Sequence, residues 1–200
     1  MQSTPQPLRS ICVFCGSNVG SRPEYAAAAE AVGQLLAERG IRVVYGAGDV
    51  GLMGVLADAA LAAGGQVIGV IPQMLVDMEL AHRGLTELRI VRSMHERKAL
   101  MAELSDAFLA MPGGVGTFEE LFEVLTWAQL GIHHKPCGCL NIAGYFDPLS
   151  ALLDHAVSEG FVRPQHRRLL ISSNEPAELL MLLTQHQPPA EEKWLGREVI

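Results

Sequence analysis

Long apolar runs are missing from this 200-residue sequence. No stretch approaches the roughly 20 consecutive apolar residues that cross a bilayer as a helix. The N-terminal MQSTPQPLRS is polar and lacks the charged-then-apolar order of a signal peptide, so the expected location is cytoplasmic. Charge is also scarce, at 18% of residues, and positive charge is in deficit: 15 Lys and Arg against 22 Asp and Glu, a net −7. Nucleic acid and anionic membranes are recognised by basic faces, so neither is an expected partner. A small phosphorylated ligand is compatible, because one pocket can be positive inside an acidic protein. Hydrophobic residues make up 49% of the chain, which marks it as folded and able to bury one sizeable core. The expected layout is a flexible N-terminus over 1–9, a single domain over 10–186 and a tail over 187–200.

Metal-ligand patterns are present only in fragments. Cys12 and Cys15, and Cys137 and Cys139, have the spacings CxxC and CxC. Both pairs lie in apolar, strand-like runs without the turn of a zinc knuckle, and in a strand Cys12 and Cys15 point to opposite faces. His133 and His134 are adjacent, diverge in direction and have no evident third ligand. No metal is expected.

The stretch SDAFLAMPGGVGTFEELFEVL organises the rest. Ala107 to Met111 reads as a buried strand, broken at Pro112-Gly113-Gly114. From Thr117 a helix is expected, with Phe118, Leu121, Phe122 and Leu125 on one apolar face. Strand, glycine turn and helix N-terminus together form an anion site, because the first helical N–H groups lack partners and lie at the positive end of the dipole. Glu119 and Glu120 follow, expected in the first turn. One acid there is ordinary helix chemistry. A pair beside a phosphate cradle suits chemistry on a sugar phosphate or nucleotide.

Other elements alternate along the chain. Ile11–Cys15 reads as a strand ending at Gly16-Ser17-Asn18, before an alanine-rich helix from Pro23 to about Arg39. Ile41–Tyr45 is a strand running into Gly46-Ala47-Gly48-Asp49-Val50-Gly51, a literal G-x-G-x-x-G, followed by a helix over Leu52–Ala63. The next strand, Val67–Ile71, ends in Pro72-Gln73 without an acid for an adenosine ribose, so a nicotinamide dinucleotide is not expected and the glycines read as a nucleotide-proximal turn. Met74–Leu88, which contains Glu79, reads as an irregular functional loop. After a strand at Glu87–Val91, Ser93 is placed to cap a helix over Met94–Leu104. Its first turn carries Arg97 and Lys98, and cations there oppose the dipole. Pairing with Glu96 or Glu119 would be structural, but a phosphate or purine is the expected partner. Lys135–Ile142 and Leu169–Ser172 complete the strands, with helices over Leu149–Glu159 and Pro176–Gln185. This alternation predicts an α/β, Rossmann-like parallel sheet with helices on both faces. Ligands bind at the carboxyl ends of such strands, where Gly16-Ser17, Gly46 to Gly51 and Met111 to Thr117 are expected to converge on one pocket.

Pro112-Gly113-Gly114-Val115-Gly116-Thr117-Phe118-Glu119-Glu120 resembles the PGGxGTxxE signature of the LOG (Lonely Guy) family. Val13 to Ser17, Tyr45 to Gly54, Met94 to Lys98 and Leu140 to Pro148 resemble the family in the same order, over about residues 10 to 180. One departure is Ala47, where the family often has glycine. The resemblance implies a cytokinin riboside 5′-monophosphate phosphoribohydrolase, releasing free base and ribose 5-phosphate from cytokinin nucleotides and from AMP, with no metal or organic cofactor. It implies that Arg97 and Glu120 are catalytic and that Gly113, Gly114, Gly116 and Thr117 cradle the 5′-phosphate. Gly16, Ser17, Gly46, Glu79, Met94 and Lys98 complete the expected substrate site. A homodimer or an assembly of dimers is likewise implied. The alternative is a nucleotide-binding or carrier protein of the same superfamily, which would not need Arg97 and Glu120 together. An older label, lysine decarboxylase, fits poorly, since the chain is short for such an enzyme and offers no pyridoxal-phosphate site.

Overall fold

The computed structural model describes residues 7–78 and 81–186. Seven strands, β1 (Ser10–Phe14), β2 (Arg42–Tyr45), β3 (Val67–Pro72), β4 (Glu87–Val91), β5 (Ala107–Ala110), β6 (Cys137–Leu140) and β7 (Leu170–Ser173), form one sheet. All pairs are parallel, in the spatial order β4-β3-β2-β1-β5-β6-β7. The helices are α1 (Pro23–Glu38), α2 (Gly51–Ala62), α3 (Gln73–Asp77), α4 (Met94–Glu103), α5 (Val115–Gln129), α6 (Asp147–Ser158), α7 (Pro164–Arg167) and α8 (Pro176–Gln185).

The central strands are continuous apolar runs because both of their faces are covered. Ile11, Val13 and Cys15 pack with Val32 and Leu36 of α1, Leu56 of α2 and Leu179 of α8. Cys12, Phe14, Val44 and Phe108 pack on the other face with Met101 of α4 and Val124 of α5. Cys12 and Cys15 thus lie on opposite faces, and all four cysteines are buried free thiols. Burial pushes the thiols of Cys12 and Cys15 well above their usual range. Among the described residues no helix is long and apolar enough to cross a membrane.

Most element boundaries fall within one or two residues of the expected ones. The short α3 and α7 were not expected; α3 occupies part of the segment read as irregular. Residues 1–6 and 187–200, which hold most of the two expected tails, lie outside the described residues. The chain is attached by residue 9, where the amides of Arg9 and Ser10 donate to Asp106 Oδ2 at 2.8 and 3.0 Å.

Two expectations for α5 are corrected. It begins at Val115, with Gly114 as its cap, and has no acid in its first turn. Glu119 and Glu120 therefore lie in the second turn. Its buried face is Thr117, Leu121 and Val124, with Phe118 and Leu125 partly buried, while Phe122 is 37% exposed.

α1 and α2 pack closely at Gly33, where a Cβ would lie 2.5 Å from the Leu56 carbonyl oxygen and 2.9 Å from the Ala60 nitrogen. Helix propensity alone favours Gly33→Ala by about 1 kcal/mol. Overpacking of backbone on backbone outweighs that gain. Gly33→Ala is expected to lower stability by roughly 1–2 kcal/mol in urea unfolding; a rise in stability would show that the contact is looser than this.

Candidate active site

Strand order reverses between β1 and β5, and the loops leaving these two strands meet at Gly16. Its N–H donates to the Pro112 carbonyl at 3.0 Å, and its carbonyl accepts from Leu52 and Met53, at 3.0 and 3.3 Å. The amides of Leu52 and Met53, in the first turn of α2, are thereby satisfied within the protein. Gly51, at φ 66, is close enough that a Cβ would lie 2.2 Å from the Ser17 carbonyl carbon. The G-x-G-x-x-G thus seats α2 against the β1 loop, and its helix N-terminus is not open to a pyrophosphate.

The N-terminus of α5 is arranged in the opposite way. No side chain caps it, and Val115 is 83% exposed. A Cβ at Gly114 or Gly116 would meet open space. At Gly113 a Cβ would lie 2.1 Å from Thr117 Oγ1 and 2.8 Å from the Gly16 nitrogen, so only glycine fits. The carbonyls before the helix all have donors: Pro112 from Gly16 N–H, Gly113 from the Tyr145 hydroxyl, and Gly114 from Phe118 N–H. Carbonyl dipoles are held, and among the described residues no acceptor meets the amides of Val115, Gly116 and Thr117, which suits an anion. Beside this turn lies a cavity of about 230 Å³ walled by Ser17, Asn18, Tyr25, Leu52, Gly113 and Tyr145.

Arg97 and Glu120 do not line that cavity; their helices, α4 and α5, cover the other face of the sheet. Ser93 Oγ caps α4 by accepting from Glu96 N–H at 3.1 Å. One turn on, Arg97 is 8% exposed and donates from Nε to the Val70 carbonyl (3.1 Å) and from Nη2 to the Gly46 carbonyl (2.8 Å). Burial lowers its pKa, against the attraction of Glu120. Glu120 is pushed up from 4.5 to about 7 by burial, which outweighs the pull of Arg97. A carboxyl poised near neutrality can both hold and release a proton.

The other expected residues separate. Gly16, Ser17, Gly113, Gly114, Gly116 and Thr117 gather around the open end of α5. Gly46, expected at the substrate, lies against Arg97: a Cβ there would lie 1.8 Å from Nη2. Of the three glycine turns expected in one pocket, those at Gly16-Ser17 and Pro112 to Gly114 share the 230 Å³ cavity, whereas Gly46 to Gly51 do not line it. Met94 is 41% exposed, with its sulfur 3.7 Å from Arg97 Nη1. Lys98, expected at the substrate, binds Glu119 and, at 3.0 Å, Glu123, clasping α4 to α5. Glu79 lies outside the described residues.

The loop that follows is anchored by His82. Its amide donates to the Ala47 carbonyl at 2.8 Å, its Nδ1 accepts from Gly84 N–H, and its Nε2 reaches Asp58 at 3.0 Å. Ala47 itself adopts φ 61, the left-handed region in which glycine is at ease. Its fully buried methyl offsets part of that strain. His133 is also engaged at both nitrogens, by Lys135 N–H and the Val124 carbonyl. Tyr25 and Tyr145 were missed in the sequence, where isolated tyrosines at turn and helix starts carry no distinguishing pattern.

Comparisons with known proteins identify the family. A family model described as "Possible lysine decarboxylase" matches residues 53–183. The cytokinin riboside 5′-monophosphate phosphoribohydrolase of Rhodococcoides fascians is 53% identical over 85% of this chain and 86% of its own. The LOG protein of Oryza sativa subsp. japonica, which carries the same enzyme name, is 50% identical over 92% of this chain and 76% of its own. The chain belongs to the LOG family. Among solved structures, the molybdenum cofactor carrier protein of Chlamydomonas reinhardtii superposes with a TM-score of 0.67 at 19% identity, covering 88% of this chain and 96% of that one. That likeness shows a shared fold. Of the lysines among the described residues, Lys98 is paired with acids and Lys135 Nζ donates to the Ala102 carbonyl at 2.7 Å.

The raised pKa of Glu120 fixes a pH dependence of stability. Between pH 4.5 and about 7 the folded state retains a proton that the unfolded state releases, so this group makes stability fall as pH rises through that window. Glu120→Gln is expected to remove that slope and to be more stable than wild type at pH 8, by up to about 3 kcal/mol. Urea unfolding of both proteins at pH 5 and pH 8 measures it; parallel curves would refute a buried, near-neutral carboxyl.

Proposed function

We propose that this chain hydrolyses the N-glycosidic bond of cytokinin riboside 5′-monophosphates, and of AMP, giving the free base and ribose 5-phosphate. The open N-terminus of α5, with Glu120 less than two turns further along the same helix and Arg97 beside it, carries the proposal. The 5′-phosphate sits on the amides at Gly114 to Thr117, with Gly16 and Ser17 alongside. This contact is remote from the reacting bond and fixes the ribose relative to Glu120.

Breaking the bond between C1′ and the purine leaves both electrons on the base and positive charge on C1′ and O4′. An ionised Glu120 stabilises that charge and orients the attacking water. The water gives hydroxyl to C1′, and a proton ends on the departing nitrogen. A Glu120 poised near pH 7 serves on either side of that transfer. Arg97, held by two backbone carbonyls, faces the charge that gathers on the leaving base. Gly46 is a positioning residue for Arg97. One added apolar group on the base is worth only about 1–3 kcal/mol of discrimination, so AMP is expected to leak through. A cytoplasmic homodimer is part of the same proposal, and light scattering of the purified chain tests its mass.

The test is a product assay with AMP and isopentenyladenosine monophosphate. Wild type is expected to release base and ribose 5-phosphate, and Glu120→Ala to lose at least about a hundredfold in turnover. Gly46→Ala should approach the loss seen in Arg97→Ala. Bound nucleotide without any product would instead favour the carrier reading that the shared fold allows.

A further inference from the structure

We propose that Tyr145 is a positioning residue for the phosphate site, holding the glycine turn in the form that presents its amides to an anion. The inference rests on reading the N-terminus of α5 as the phosphate site. An anion is attracted by amide N–H groups and repelled by carbonyl oxygens, so the orientation of each peptide plane in the turn decides its affinity. Of the three carbonyls before α5, those of Pro112 and Gly114 are fixed by backbone donors, Gly16 N–H and Phe118 N–H. The Gly113 carbonyl is fixed by a side chain, the Tyr145 hydroxyl. Its peptide lies between two glycines and is intrinsically the freest to rotate. The bond that needs outside support is the one that Tyr145 supplies.

The chain around Tyr145 is built to deliver that hydroxyl. In the connection from β6 to α6, Ala143 and Gly144 both take left-handed backbone, at φ 52 and 73. A non-glycine residue in that region is strained and persists where its surroundings over-determine it. Asn141 braces the loop, accepting from Phe146 N–H at 2.6 Å and donating to Asp147 Oδ1 at 2.7 Å. The Tyr145 ring stacks on Phe118 at 6.3 Å between centroids and meets Phe146 and Tyr25 edge-on at 5.1 and 5.7 Å. These contacts leave the ring one position, with its hydroxyl on Gly113 and its flank on the 230 Å³ cavity.

Tyr145→Phe keeps the ring and removes the hydroxyl. The variant is expected to raise KM for AMP about five- to tenfold, the factor worth one hydrogen bond, while kcat stays within about twofold. The Kd values for inorganic phosphate and ribose 5-phosphate, measured by calorimetry, should rise by the same factor. Tyr145→Leu should lose at least as much affinity for phosphate. Unchanged phosphate and ribose 5-phosphate affinities in Tyr145→Phe would overturn the proposal, whether or not its melting temperature falls. Calorimetry needs no turnover, so a wild type that binds phosphate without cleaving AMP would count against the hydrolase reading and leave the Tyr145 claim to its own result.

Discussion

The two hydrogen-bonding groups of Gly16 decide what this fold can bind. Its carbonyl takes the first amides of α2, and its N–H takes the carbonyl of Pro112. Two glycine-rich turns reach the carboxyl edge of the sheet, and both open into helices with free amides. The one that looks most like a dinucleotide fingerprint is closed by Gly16. The other is left open and is pulled up against β1 by the same residue. A side chain at Gly16 would press on Asn18 O at 2.9 Å and Gly113 Cα at 3.3 Å, so the junction exists only with glycine.

On the other face of the sheet, the governing term is desolvation. Arg97 and Glu120 attract one another, yet burial dominates for each, lowering the pKa of one and raising that of the other. The guanidinium is satisfied by the carbonyls of Val70 and Gly46 rather than by the carboxylate. This leaves Glu120 near neutrality, which a tight ion pair would not. Lys98, with Glu119 and Glu123, ties α4 to α5 and so sets the separation of the two groups.

Much of this was legible in the sequence. The strands could be read because burial on both faces makes them uninterrupted apolar runs. Ser93 announced the start of α4 because a cap and its helix are adjacent in sequence. The start of α5 was placed at Thr117 because the apolar spacing begins at Phe118, but the Thr117 side chain is turned inward against Gly113 and the cap falls to Gly114. Nothing local in the sequence says that Arg97, 51 residues away, lies against Gly46, whereas Glu119 was already a named alternative partner for the Arg97-Lys98 pair and Lys98 is bound to it. Tyr145 was invisible for the same reason: its partner, Gly113, is 32 residues distant. Motifs mark where chemistry gathers, while long-range contacts decide which residue does what.

The most direct test of the account is the ratio of kcat/KM for AMP to that for adenosine. The two molecules differ only in the phosphate, so the ratio isolates the anion site at α5 from the groups at the glycosidic bond. If that site positions the ribose, AMP should lead by at least about a thousandfold, because the phosphate contact contributes to orientation as well as to affinity. Comparable values would contradict the account, for the open end of α5 would then have no part in catalysis.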